Sequence, residues 1–342
     1  MQPGKRTVHD PAPIAPAPDI CWAITDAAAG NQRQALALAA RLGLPVRHLV
    51  VQARAPWAWL APRLTLGGRL ALPTAARAAF APPWPRVAIG CGRSAALFTR
   101  MLRPWSDGRC RTVQILDPRI DPTHWDAVIA PRHDGLHGPN VWRTLGSLNP
   151  IDEDWLTAGR LAFPELTALP RPRIGVLIGG PRRGIDLDAA AIAALLDRLR
   201  HRQQQEGGSL LVLTSRRTPP DWRARLRGQV AQLPGLYWDD ANDQPNPYPG
   251  VLGWADALVV SPDSVNMLSE ACAVGCAVHT FANDRLPPRL ARFHAALREA
   301  GRLQDLRQTI PAVGQPPLRE TAQAAAWLLD RLAPSPTHGL GQ

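Results

Sequence analysis

Lysine is almost missing from this chain. Among 342 residues Lys5 is the only one, and every other basic side chain except histidine is arginine. The formal net charge of +11 therefore rests on guanidinium groups, in a composition also rich in Ala, Pro and Gly, the skew of a GC-rich genome. No extended basic run and no nucleic-acid motif accompany that charge, so it suits phosphate-bearing partners and nucleic acid is not expected. Apolar runs are short as well. No window approaches the ~20 apolar residues of a membrane span, and the first 18 residues lack the continuous apolar centre of a signal peptide. The expected location is cytoplasmic, with the inner face of the membrane as a peripheral site.

Cysteine is scarce and odd in number: Cys21, Cys91, Cys110, Cys272 and Cys276. A chain of this size needs no covalent staples, so buried thiols in a reducing compartment are expected. Cys272-x-x-x-Cys276 has no second ligand pair nearby, which argues against zinc. The Gly90-Cys91-Gly92 turn lacks the full glycine fingerprint of a dinucleotide site. No metal and no cofactor are expected.

What is present is alternation. Ile20 to Thr25, Val46 to Val51, Arg86 to Gly90, Thr112 to Leu116 and Ala127 to Ala130 read as strands, with helices over 31–42 and 94–102. After a Pro-containing connector over 150–172 the pattern restarts. Strands are expected at Arg173 to Ile178, Ser209 to Thr214, Gly235 to Trp238, Ala257 to Val260 and Ala277 to Phe281, with helices over 187–202 and following Ser264. Short apolar runs alternating with helices indicate parallel sheets covered on both faces. The fold class is α/β, two doubly wound Rossmann-like domains facing across a cleft. The expected division is a disordered tail over 1–18, a first Rossmann-like domain over 19–168, a second over 169–318, a helix over 319–332 placed to return to the first domain, and a tail over 333–342.

In such sheets ligands bind at the carboxyl ends of strands, where nearly every polar cluster of this chain falls. Ser261-Pro262-Asp263-Ser264 ends one apolar run, and at helical spacing Asp263, Asn266, Met267 and Glu270 share a side. The helix start at Asp263 or Ser264 suits phosphate. Glu270 lies ~9 Å further along at 1.5 Å per residue, about the separation of a nucleotide's phosphates from its ribose. The bland alternative is a capped helix whose Glu270 pairs with an arginine.

Gly179-Gly180 offers close backbone approach to a pyrophosphate or an ordinary turn, and Arg216-Arg217-Thr218 offers guanidinium forks at the next strand end or an exposed basic turn. Tyr248 either stacks on a nucleobase or packs its loop. In the first domain, Asp26 stands as general base on an acceptor hydroxyl or as the cap of the helix that follows Gly30 and Asn31. Gly90, Gly92, Arg93 and Ser94 make a candidate anion pocket for an acceptor phosphate. His133, beside Asp134, is the second base candidate. The stretch from Pro56 through Trp57 and Trp59 to Trp84 suits a membrane interface serving a lipid-linked acceptor, although internal packing is the favoured reading.

The ordered set of these pieces resembles the mitochondrial-fission (elongated-mitochondria) family of glycosyltransferase-B-like proteins, found in plants and many bacteria. The matching pieces are Thr25-Asp26 with Gly30-Asn31-Gln32, Gly90 to Arg93, Gln114 with Asp117-Pro118-Arg119, and Pro131 to Asp134 in the first half. In the second they are Ile178-Gly179-Gly180, Thr214 to Thr218, Asn246-Pro247-Tyr248, and Asp263 to Ala271. The resemblance implies the B-type fold and a metal-independent transfer of sugar from a nucleotide-sugar donor, with a membrane surface or lipid-linked acceptor on the other side. It also implies two alternatives, a non-catalytic fission adaptor and a nucleotide-sugar epimerase. Asp152-Glu153-Asp154 imitates the metal motif of A-type glycosyltransferases, but it lies in the connector and reads as a helix start.

Overall fold

A computed structural model describes residues 19–241, 244–282, 284–306 and 314–333. The expected tail over 1–18, and all but the first residue of that over 333–342, lie outside the described residues. The first half runs β1 (Cys21–Thr25), α1 (Ala29–Ala39), β2 (Val46–Val50), two single-turn helices α2 (Trp57–Leu60) and α3 (Thr74–Arg77), β3 (Val87–Cys91), α4 (Arg93–Trp105), β4 (Arg111–Ile115), β5 (Ala127–Pro131) and β6 (Val141–Thr144). Helix α5 (Glu153–Ala162) fills the connector, with the Asp152 carboxylate accepting from Trp155 N–H as its cap. The second half runs β7 (Arg173–Ile178), α6 (Ala189–Glu206), β8 (Ser209–Thr214), α7 (Pro220–Val230), β9 (Gly235–Trp238), α8 (Tyr248–Trp254), β10 (Ala257–Val260), α9 (Val265–Cys272), β11 (Ala277–Thr280), α10 (Pro288–Glu299), β12 (Gln304–Asp305) and α11 (Glu320–Leu332).

Two wholly parallel sheets result, in the orders β2-β1-β3-β4-β5-β6 and β12-β11-β10-β7-β8-β9. The central strands are buried along their whole length, which is why they read as unbroken apolar runs rather than alternating ones. Edge strand β2 is half-open, and Val46 and Val50 reach solvent there. All five cysteines are buried and free, and burial pushes the Cys21, Cys272 and Cys276 thiols up to about 12. They act as small apolar side chains.

Helix α11 crosses back onto the first sheet. Ala324, Ala325 and Leu328 join the cluster of Cys21, Leu38 and Ile89, and Trp327 lies against Trp142 at 5.6 Å. Its first turn is anchored: the Glu320 carboxylate accepts from the N–H groups of Leu145 and Gly146, and Thr321 exchanges two bonds with the Asn149 backbone. The aromatic stretch after Pro56 divides. Phe80 and Trp84 pack on Trp22 inside the domain, at 5.8 and 6.2 Å, whereas Trp59 is 72% exposed. Among the described residues no helix is long and apolar enough to cross a membrane.

Candidate functional site

Each sheet reverses its strand order once, at β1/β3 in the first domain and at β7/β10 in the second. Loops at such a reversal splay apart and leave a crevice beyond the strand ends. Registers pairing Ile178 with Thr214 and Leu177 with Val260 bring the ends of β7, β8 and β10 level. Between them and α1 of the first domain lies a cavity of 430 Å³, lined among others by Gly30, Arg216, Tyr248, Ser264, Met267 and Glu270. The domains touch closely at its rim. A Cβ on Gly30 would stand 2.0 Å from the Asn266 side-chain nitrogen, and Ser147 N–H donates to Ser269 Oγ at 2.9 Å.

Helix α9 starts at Ser264, whose Oγ accepts from Met267 N–H. Leu268, Ala271 and Cys272 bury its sheet side. Glu270, only 2% exposed, is carried on the cavity side. Its Oε1 accepts from Arg33 Nη1 at 2.6 Å across the cleft, and its Oε2 accepts from the Tyr248 hydroxyl. Burial and the adjacent carboxylate push the Tyr248 phenol well above its usual pKa, so it stays a donor. Burial opposes the Arg33 charge, but the Glu270 carboxylate outweighs it and raises the guanidinium pKa. The awkward acid thus has two protein partners. Arg33, about half exposed, is the displaceable one.

The residues expected to hold phosphate separate into two groups. Arg216 lines the cavity and has no acidic partner among the described residues. Arg217 also lines it, but its Nη2 donates to Asp263 Oδ2 at 2.5 Å. Asp263, at 1% exposure, accepts from Arg217, from Ser261 Oγ at 2.6 Å and from Gly180 N–H at 3.4 Å, which ties the ends of β7, β8 and β10 together. A Cβ on Gly179 would lie 2.2 Å from the Asp263 carboxylate, and one on Gly180 would lie 2.2 Å from the Arg217 carbonyl oxygen. Both glycines admit protein groups at close range. Thr218 is likewise internal, its buried Oγ1 donating to the Ile178 and Gly179 carbonyls.

At the opposite strand ends, both Asp26 oxygens accept from Asn31 Nδ2 at 3.0 Å, and Oδ1 also accepts from Ala28 N–H. Gly92, at φ 101°, closes this unit, since a Cβ there would stand 2.7 Å from both Asp26 Oδ2 and Asn31 Nδ2. Asp26 thus stabilises the entry to α1 and stays half-buried at the reversal point. The other first-domain candidates also have protein partners. Gly90 leaves space for Gln114 and Thr99, Ser94 Oγ accepts from Ala53 N–H, and Arg93 donates to the Ala61 and Trp59 carbonyls. His133 makes an interdomain contact. It is buried edge-on against Phe293 of α10 at 5.3 Å, while Arg289 pairs with its neighbour Asp134 at 2.6 Å. Burial lowers its pKa, and it lines neither the donor cavity nor the smaller cavity beside Gly92.

The Mitochondrial fission ELM1 family matches residues 29–332 of the chain. The chain belongs to this family. It is 31% identical over 290 residues to Mitochondrial fission protein ELM1 of Arabidopsis thaliana, an alignment covering 75% of this chain and 66% of that protein. Two UDP-GlcNAc 2-epimerase structures share its fold. That of Methanocaldococcus jannaschii aligns at TM-score 0.50 and 8% identity, covering 91% of this chain and 99% of that one. That of Neisseria meningitidis, bound to UDP-GlcNAc, aligns at TM-score 0.50 and 9% identity, covering 91% and 100%. The architecture is the glycosyltransferase-B fold.

In this ELM1-family chain one cavity-lining residue escaped sequence reasoning. Arg33 has no motif of its own, and its partner lies 237 positions away. The available signal was spacing: Arg33 sits three residues after Gly30, so both occupy one face of α1, the face that meets α9.

Proposed function

We propose that this ELM1-family chain transfers a sugar from a nucleotide-sugar donor held by its second domain to an acceptor held by its first. The nucleoside diphosphate lies in the 430 Å³ cavity, its phosphates at the start of α9 and beside Arg216 and Arg217. Its ribose hydroxyls donate to Glu270, taking the place of Arg33. The acceptor hydroxyl oxygen attacks the anomeric carbon as the bond from that carbon to the phosphate oxygen breaks. The diphosphate leaves with the bonding electrons, and Asp26 takes the acceptor proton.

One observation carries this reading: a carboxylate 2% exposed is nonetheless presented to a cavity whose other end holds an unpaired arginine and a helix start. The test is a crystal soaked in a mixture of nucleoside diphosphates. Density with ribose at Glu270 and phosphates at Ser264 and Arg216 supports it, and an empty cavity in a soaked crystal refutes it.

A second reading is a non-catalytic adaptor in membrane fission, the process for which the Arabidopsis relative is named. It draws on the Arg33 and Tyr248 bonds, which already satisfy both Glu270 oxygens without any ligand. The same soak separates the two. An epimerase would use the donor cavity and need no acceptor.

A further inference from the structure

A second cavity, of 370 Å³, lies at the carboxyl ends of β3 and β4. Arg63, Arg93, Arg119 and Arg289 line it against a single acid, Asp117. Arg119 pairs with Asp117 at 3.4 Å and Arg289 with Asp134. Arg63 and Arg93 bond only backbone carbonyls, which leaves their charge uncompensated. Gly92, at the N-terminus of α4, supplies no side-chain cap for the first N–H groups. Excess guanidinium charge and uncapped amides at one cavity describe an anion site.

The charge around it is concentrated. From residue 27 to residue 106 the chain has eleven arginines and no Asp, Glu or Lys, so this stretch alone equals the net +11 of the whole protein. Within it lie four of the most exposed large apolar side chains: Trp59 at 72%, Leu60 at 50%, Leu66 at 84% and Leu70 at 57%. The strap that bears them is held firmly. Arg93 binds the Trp59 and Ala61 carbonyls, Arg100 binds those of Pro62 and Arg63, and Trp57 Nε1 donates to the Leu66 carbonyl. Arg54, Arg63, Arg69 and Arg77, on or beside the strap, are exposed and lack acidic partners among the described residues. Ala61, Pro62 and Arg63 of the strap are also a wall of the cavity.

We infer that this strap seats the first domain on an anionic lipid surface and that the arginine-lined cavity takes the phosphate headgroup of a lipid. Tryptophan and leucine enter the interface while the arginines meet phosphate, and the wall shared by strap and cavity sets the cavity mouth at headgroup level. The inference rests on the transferase reading only in making that lipid the acceptor.

The test is flotation of the full chain with phosphatidylcholine vesicles, with and without phosphatidic acid. Flotation is expected only with phosphatidic acid. Trp59→Ser with Leu66→Ser should lower the bound fraction about tenfold through lost apolar burial, and Arg63→Gln should lower it about fivefold. Circular dichroism confirms that the variants are folded. Short-chain phosphatidic acid should compete, and inorganic phosphate at equal concentration should not. The inference is overturned by no flotation on phosphatidic acid, by equal flotation of the strap variant, by a strap-dependent dimer in size exclusion, or by preferential binding of RNA. Nucleoside diphosphate titration of the same samples keeps the readings apart: vesicle binding without nucleotide binding refutes the transferase, and the reverse refutes the lipid seat.

Discussion

Arg33 of the first domain and Glu270 of the second meet at 2.6 Å across the cleft, one about half exposed and the other almost fully buried. The pair fastens the domains together at the spot where a donor ribose would bind. Arg33→Ala should cost about 1 kcal/mol of stability, well below the cost of breaking a fully buried pair because water reaches the guanidinium. Tyr248→Phe, which leaves Glu270 Oε2 without its donor, should cost about 1–3 kcal/mol. Urea denaturation of the two variants checks both values.

Neighbouring arginines should behave differently. Arg217→Gln removes the cationic partner of the buried Asp263 carboxylate and should cost about 1 kcal/mol, screened as for Arg33 because its guanidinium is also half exposed. Arg216→Gln should leave the melting temperature within about 1 °C, because surface substitutions outside such networks have little effect. It should still weaken nucleoside diphosphate binding about tenfold through loss of a charge-assisted phosphate contact. Thermal melts alongside titration calorimetry distinguish the two residues.

Glycines give a third contrast. Gly179→Ala places a methyl group against the Asp263 carboxylate and should destabilise by about 1–3 kcal/mol. Gly228→Ala, in α7 with nothing within 4 Å of the new carbon, should stabilise by about 0.5–1 kcal/mol. Equilibrium unfolding reads both signs.

Acid should act through His294. It is wholly buried on α10, and its Nε2 lies 3.0 Å from the Pro262 carbonyl, holding the loop that precedes α9. Burial pushes its pKa down from 6.5 to about 4. A depressed histidine pKa means that the unfolded chain takes up the proton first. The contribution to stability is complete above pH 6.5 and is lost as pH falls toward 4, at a slope of up to about 1.4 kcal/mol per pH unit. His294→Gln, with no imidazole to titrate, should flatten the stability profile between those limits.

The second sheet was legible almost to the residue. The expected bounds of β7, β8, β9 and β10 coincide with those observed, because β7, β8 and β10 are fully buried apolar runs bounded by Gly, Pro and polar turns, and half-buried β9 is set off by Pro234-Gly235 and Asp239. Helices α7 and α10 went unread because each opens on proline and is crowded with arginine, which obscures the apolar stripe. Helix α8 was hidden in Asn246-Pro247-Tyr248-Pro249-Gly250, a turn by local chemistry. Tertiary packing makes it helical: Gly159 of α5 admits the Pro249 backbone, and Gly250 lies against Phe163. Glu270 could be singled out as an isolated acid in an apolar helix, and Tyr248 as an aromatic at the cleft. The protein partners of Gly179, Gly180, Thr218 and His133 are neighbours brought in by folding, which motif placement does not reveal.

The central claim is that Glu270 receives the ribose of a nucleoside diphosphate. Titration calorimetry of the wild-type chain and Glu270→Ala against uridine, adenosine and guanosine diphosphates tests it most directly. Saturable binding of at least one nucleotide is expected, weakened about tenfold or more in the variant, since hydrogen bonds to a charged group contribute about 1.5–3 kcal/mol. No binding of any of the three, or equal affinity in the folded variant, would contradict it.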